Sequence, residues 1–138
     1  MNPSLPEPND DEWPVISVYT RAEALADGVL VDVTSSAREA GFRYPTAITQ
    51  TLSAALVSEG SEGVPGQSFS GRLWDVLWLA RLAAARSAQD RITFQVLLAQ
   101  ADPHSADCVA YQEITLSAVC SPGDLGEPVI TIGFPSDF

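Results

Sequence analysis

Apolar and polar positions change rhythm twice along this chain, and the changes mark out its elements. Thr20 and Glu23 stand at capping-box spacing, where the hydroxyl accepts an orphan helix N–H and the carboxylate reaches back to the Thr20 amide. A helix over 21–27 follows, and Gly28 supplies its stop, because a residue without Cβ enters the left-handed C′ conformation freely. Residues 29–33 are mostly β-branched and apolar apart from Asp32, which predicts a strand with at least one buried face. Ser36 and Glu39 repeat the capping pattern ahead of Gly41, so one or two helical turns are expected around 37–40. Tyr44 precedes Pro45 and is pushed into an extended conformation.

Thr46 is read as the cap of the next helix, since Ile48, Leu52, Ala55 and Leu56 recur at helical spacing. Residues 58–68 read as a loop. The longest helix is expected over 70–87, with Leu73, Leu77, Ala80 and Ala84 as its stripe and Trp74, Trp78 and Leu82 widening it. So broad an apolar surface predicts a central helix packed on more than one side, with both tryptophans in the core. The period then falls to two. Ile92, Phe94, Val96 and Leu98 alternate with polar residues, as do Ile114, Leu116, Ala118 and Cys120, and Ile130, Ile132 and Phe134 share a face.

These elements make an α+β layout. A C-terminal antiparallel three-stranded meander is covered by the central helix and smaller N-terminal helices, and 29–33 is a candidate fourth strand at an edge. At 138 residues the chain suits one domain, assigned to 15–138, after an acidic, proline-bearing tail over 1–14.

Composition narrows the function classes. The apolar fraction of 46% is ample for a core. No apolar run approaches the roughly 20 residues that a membrane span needs, and residues 1–12 lack a basic start and an apolar stretch, so a cytoplasmic protein is expected. The formal charge is −11, from 18 acidic residues against seven arginines. Such a field repels nucleic-acid phosphate and favours basic protein surfaces, so a protein partner is expected and direct nucleic-acid binding is not.

Catalytic signatures are missing. No nucleophile elbow, phosphate-binding loop or dinucleotide fingerprint occurs. His104, Cys108 and Cys120, with Asp102, Asp107 or Asp124, do not fall at a closed zinc spacing, and neither metal nor cofactor is expected. Cys108 and Cys120 flank one strand, too far apart in an extended chain for a disulfide.

One polar constellation stands among apolar surroundings: Asp32, Arg38, Glu39, Arg43, Tyr44, Arg72, Trp74 and Asp75. Arginine pairs bidentately with carboxylates, so Asp32 with Arg38 or Arg43, and Asp75 with Arg72, could stitch the helical half to the sheet. Alternatively Arg38, Arg43 and Arg72 line a small-anion or catalytic pocket walled by Tyr44 and Trp74. A third reading makes Trp74 and Trp78 a homodimer surface.

The segments VYTRAEALADGVLVDV (18–33), AREAGFRYP (37–45), GRLWDVLW (71–78) and PGDLGEPVITI (122–132) resemble a small bacterial family known as a domain of unknown function. That resemblance brings no catalytic residue with it. It implies an accessory cargo of plasmids, phages and other mobile elements, with an anti-defence role as the corresponding expectation.

Overall fold

The computed structural model describes residues 19–57, 68–101, 104 and 109–138, with only the backbone of Gln100 and Ala101. The expected tail, the loop over 58–67, Cys108 and most of 102–107 lie outside the described residues.

Helix α1 (Arg21–Ala26) starts as its punctuation requires. The Thr20 hydroxyl accepts from the Glu23 amide and the Glu23 carboxylate accepts from the Thr20 amide. Gly28 follows at φ +79°, in the left-handed region. Strand β1 (Leu30–Asp32) leads into α2 (Thr34–Glu39). Here the expected Ser36 cap is corrected: α2 begins three residues earlier, with Val33 at the cap position, and Asp32 accepts from both the amide and the hydroxyl of Thr34.

A second correction concerns Thr46. Residues Thr46–Thr49 form strand β2, buried at every position, and the cap of helix α3 (Gln50–Ala55) is Thr49, whose hydroxyl accepts from Leu52 N. A strand buried on both faces has no period-two signature, so its apolar residues merge with the helical spacing that follows.

Helix α4 (Phe69–Ala85) is capped by Ser68, and strands β3 (Arg91–Ala101), β4 (Val109–Pro122) and β5 (Pro128–Gly133) complete the chain before a 3-10 turn at Pro135–Asp137. The sheet is five-stranded and mixed, in the order β1-β2-β5-β4-β3. β3 with β4, and β4 with β5, are antiparallel, as the alternation suggested. β5 then pairs in parallel with β2, and β2 antiparallel with β1. The 29–33 segment is thus an edge strand of this sheet, separated from β5 by β2.

Register places Ile48, Ile132, Ala118 and Ile92 in one row on the covered face. Leu73, Val76, Leu77 and Ala80 of α4 pack there with Ala37 of α2 and Leu52 of α3. The expectation that α4 packs on several sides is corrected: Trp74, Trp78 and Leu82 are 40%, 41% and 38% exposed, so the helix buries one face only. Helices α2, α3 and α4 therefore lie on one side of the sheet. The other side is open over the outer part of β3 and β4, where Thr93, Gln95, Glu113 and Thr115 are exposed, while Ala47, Thr49, Ser117 and Val129 on it are buried.

Candidate functional site

The open face carries a groove between two walls, each pinned by a residue from a distant part of the chain. On one side Asp124, in the β4–β5 hairpin, accepts from the Arg21 and Ala22 amides at 2.8 and 3.0 Å. Those two bonds hold the Asp124 carboxyl below its usual range. They also fix α1 so that the Arg21 guanidinium reaches over the sheet, donating to the Thr131 hydroxyl at 2.7 Å and the Ile130 carbonyl at 2.9 Å. Burial lowers the Arg21 pKa, while Asp124, Asp32 and Glu127 act in the opposite direction.

The other wall is the C-terminal turn. Asp137 accepts from the hydroxyls of Thr49 (2.8 Å) and Thr51 (2.7 Å) and from the Phe134 amide (2.8 Å). Desolvation pushes this carboxyl up, but the three donors outweigh it and its pKa falls below the usual range. Gly133 makes this approach possible, because a Cβ there would stand 2.6 Å from Thr49 and 2.7 Å from Asp137. Arg91 donates to the Pro135 carbonyl, and its guanidinium lies 5.3 Å from the centre of the Phe138 ring.

Between these walls lies a hollow of about 360 Å³, floored by Thr49, Val119, Ser121 and Thr131 and bounded by Val29, Leu30, Gln50, Thr51, Asp137 and Phe138. A second hollow of about 460 Å³ lies under α1, between Arg21, Ala24, Asp124 and Val129, and shares Leu30 and Ser121 with the first. The groove offers hydroxyls and apolar patches inside and carboxylates around its rim. Tyr19, at its α1 end, donates to Asp27 at 2.6 Å, and this bond, with some desolvation and the nearby charges of Asp27 and Glu23, pushes the phenol up to about 12.

The constellation expected from sequence is divided among four places. Asp32 alternates with Val31 and so faces the open side, where it acts on Arg21. Arg72 is 1% exposed on the inner side of α4, and its guanidinium donates to the carbonyls of Val57 (2.8 Å) and Ala99 (2.9 Å). Arg38 and Glu39 are exposed on α2, and Arg43 and Tyr44 are exposed in the connection from α2 to β2. Trp74 and Asp75 lie on the outer surface of α4, where partial burial raises the Asp75 pKa. Trp74 stacks on Trp78 with centroids 6.1 Å apart, and Arg81 lies 5.6 Å from the Trp78 ring centre.

Arg21, Asp124, Thr131 and Asp137 were not singled out from sequence as members of one site. Arg21 and Asp124 are 103 positions apart, and Thr51 and Asp137 are 86 apart. No local spacing encodes such contacts, which depend on the strand order. The acidity of the GDLGE hairpin was the available signal.

A family model for a family of unknown function, DUF6573, matches residues 11–138, and the chain belongs to that family. No curated protein and no solved structure matches it. No helix among the described residues is long and apolar enough to cross a membrane.

Proposed function

We propose that this protein acts by binding a basic protein surface through the open face of its sheet, without catalysis. In this reading it is a cytoplasmic accessory protein of a mobile genetic element. Its partner is a nucleic-acid-handling component of host defence, whose phosphate-binding groove the acidic face occupies in place of nucleic acid.

The observation that carries the reading is the division of charge between the two sides. Asp32, Glu113, Asp124, Glu127 and Asp137 belong to the open face or its rim. The arginines on that side, Arg21 and Arg91, are engaged by the Ile130 and Pro135 carbonyls. Arg38, Arg81 and Arg86 are exposed on or at the end of α2 and α4, with Glu39 and Asp75 as the exposed acids of those helices. On the open side the five carboxylates outnumber the two cations, and a face of predominantly negative charge accelerates encounter with an oppositely charged groove and makes affinity fall with salt. The groove hydroxyls of Thr49, Thr51 and Thr131 are spent on Asp137 and Arg21, which suits a binding surface better than a reactive centre.

The competing reading, an anion pocket on Asp32, Arg38 and Arg43, has no specific observation behind it, since Asp32 faces the other side of the sheet. The test is to capture basic host proteins on the intact chain, purify the partner and titrate it in rising salt. Affinity is expected to fall steeply; an affinity independent of salt would exclude charge mimicry.

A further inference from the structure

Strand β3 is the edge of the sheet opposite β1, and it is eleven residues long. The Cys120 amide donates to the Asp90 carbonyl. That bond sets the phase of the β3–β4 ladder: Ile92, Phe94, Val96 and Leu98 bond to β4, while the N–H and C=O groups of Arg91, Thr93, Gln95 and Leu97 point outward. Farther along, Arg72 takes the Ala99 carbonyl. Nothing among the described residues pairs with the outward backbone groups of Arg91, Thr93, Gln95 and Leu97.

An edge of this kind invites pairing with another strand unless something guards it. Among the described residues β3 carries few of the usual guards: it contains no proline and no lysine, and Arg91 is its single charge. Leu97 is 56% exposed beside it.

We propose that this edge pairs with the same edge of a second copy of the chain, antiparallel, about a two-fold axis at Phe94. That register sets Thr93 opposite Gln95 of the second copy and Arg91 opposite its Leu97, and so uses the four outward residues and no others. The axis stands perpendicular to the sheet, so the two open faces join into one ten-stranded acidic surface.

The reason for choosing a second copy, rather than some other extended segment, lies on α4. Arg72, which reaches the β3 edge, begins a line at alternating steps of three and four: Asp75, Leu79, Leu82, Arg86. Asp75, Leu82 and Arg86 are exposed and Leu79 is partly buried. The line is acidic at one end, apolar in the middle and basic at the other, which makes it complementary to itself when reversed. A two-fold axis sets Asp75 against Arg86 of the second copy, and Leu79 against its Leu82. Its midpoint falls between Ala80 and Arg81, and Ala80 shares a small hollow with Ile92, two residues from Phe94 on β3.

Sedimentation equilibrium on the full chain tests the proposal. The wild type is expected at twice the chain mass. Gln95→Pro removes an outward donor and leaves the bonds to β4 in place, so it should sediment as a monomer with an unchanged circular dichroism spectrum. Asp75→Arg should weaken the dimer about 10- to 100-fold, and Asp75→Arg combined with Arg86→Asp should restore it. A wild type that is monomeric throughout overturns the proposal. So does a dimer that survives Gln95→Pro with its affinity unchanged and shows no charge-swap rescue. A dimer lost with Trp74→Ser and Trp78→Ser but kept by the edge variants would place the contact on the outer tryptophans and also overturn it.

Discussion

Replacing Arg72 with alanine separates a structural arginine from a ligand-binding one. The side chain is 1% exposed, and its guanidinium joins the Val57 carbonyl, after α3, to the Ala99 carbonyl on β3. Alanine would leave both carbonyls without this donor, at about 1–2 kcal/mol each. It would also remove the packed stem, worth about another 1–2 kcal/mol, and part of the total is returned because a cation no longer has to be desolvated. The net expectation is a loss of about 3 kcal/mol, or roughly 10 °C in Tm for a chain of this size. Urea unfolding followed by far-ultraviolet circular dichroism measures it. Arg72→Met keeps most of the stem and loses only the donors, so it should fall between alanine and wild type. A loss for Arg72→Ala below about 0.5 kcal/mol would mean that the guanidinium does not hold α3 to β3, and would return Arg72 to the set of residues open to a ligand.

Three further outcomes are expected. The Asp124 and Asp137 carboxyls are depressed in the folded protein, so the stability they add is present above the ordinary carboxylate pKa and lost as pH falls through their lower folded values; thermal melts of Asp137→Asn should show a flatter acid limb than wild type. Gly133→Ala should destabilise by about 1–3 kcal/mol in urea, because its methyl would collide with Thr49 and Asp137, and an unchanged midpoint would mean that the C-terminal turn does not sit on β5. Asp27→Asn should bring the Tyr19 phenol down from about 12 toward its ordinary value, read by ultraviolet titration against wild type, and an unshifted titration would show that the Tyr19–Asp27 bond does not form.

Local chemistry was legible in the sequence wherever a single side chain decides the backbone. The Thr20–Glu23 box and Gly28 bound α1, and alternation located β3, β4 and β5. The α4 helix was legible in extent but not in orientation. Trp74 and Trp78 have the hydrophobicity of core residues, yet stacking on one another lets them share an exposed surface, while Arg72 takes a core position by turning its charge to two carbonyls. β2 was hidden for the reason already given, and without it the parallel β2–β5 pairing could not be inferred. That pairing is what leads the C-terminal turn back to Thr49 and Thr51. The groove was therefore illegible: it is made by contacts of Asp124 and Asp137 across most of the chain, and those follow from strand order.

In the function proposed above, one side of this sheet meets a basic partner and the other does not. The most direct measurement compares the affinity of the purified partner for two neutralised chains, Glu113→Gln with Glu127→Gln on the open side, and Glu39→Gln on the helical side. The first chain is expected to bind about tenfold more weakly than wild type and the second to bind as wild type does. Equal affinity for all three, or a loss confined to the Glu39→Gln chain, would contradict the proposed function.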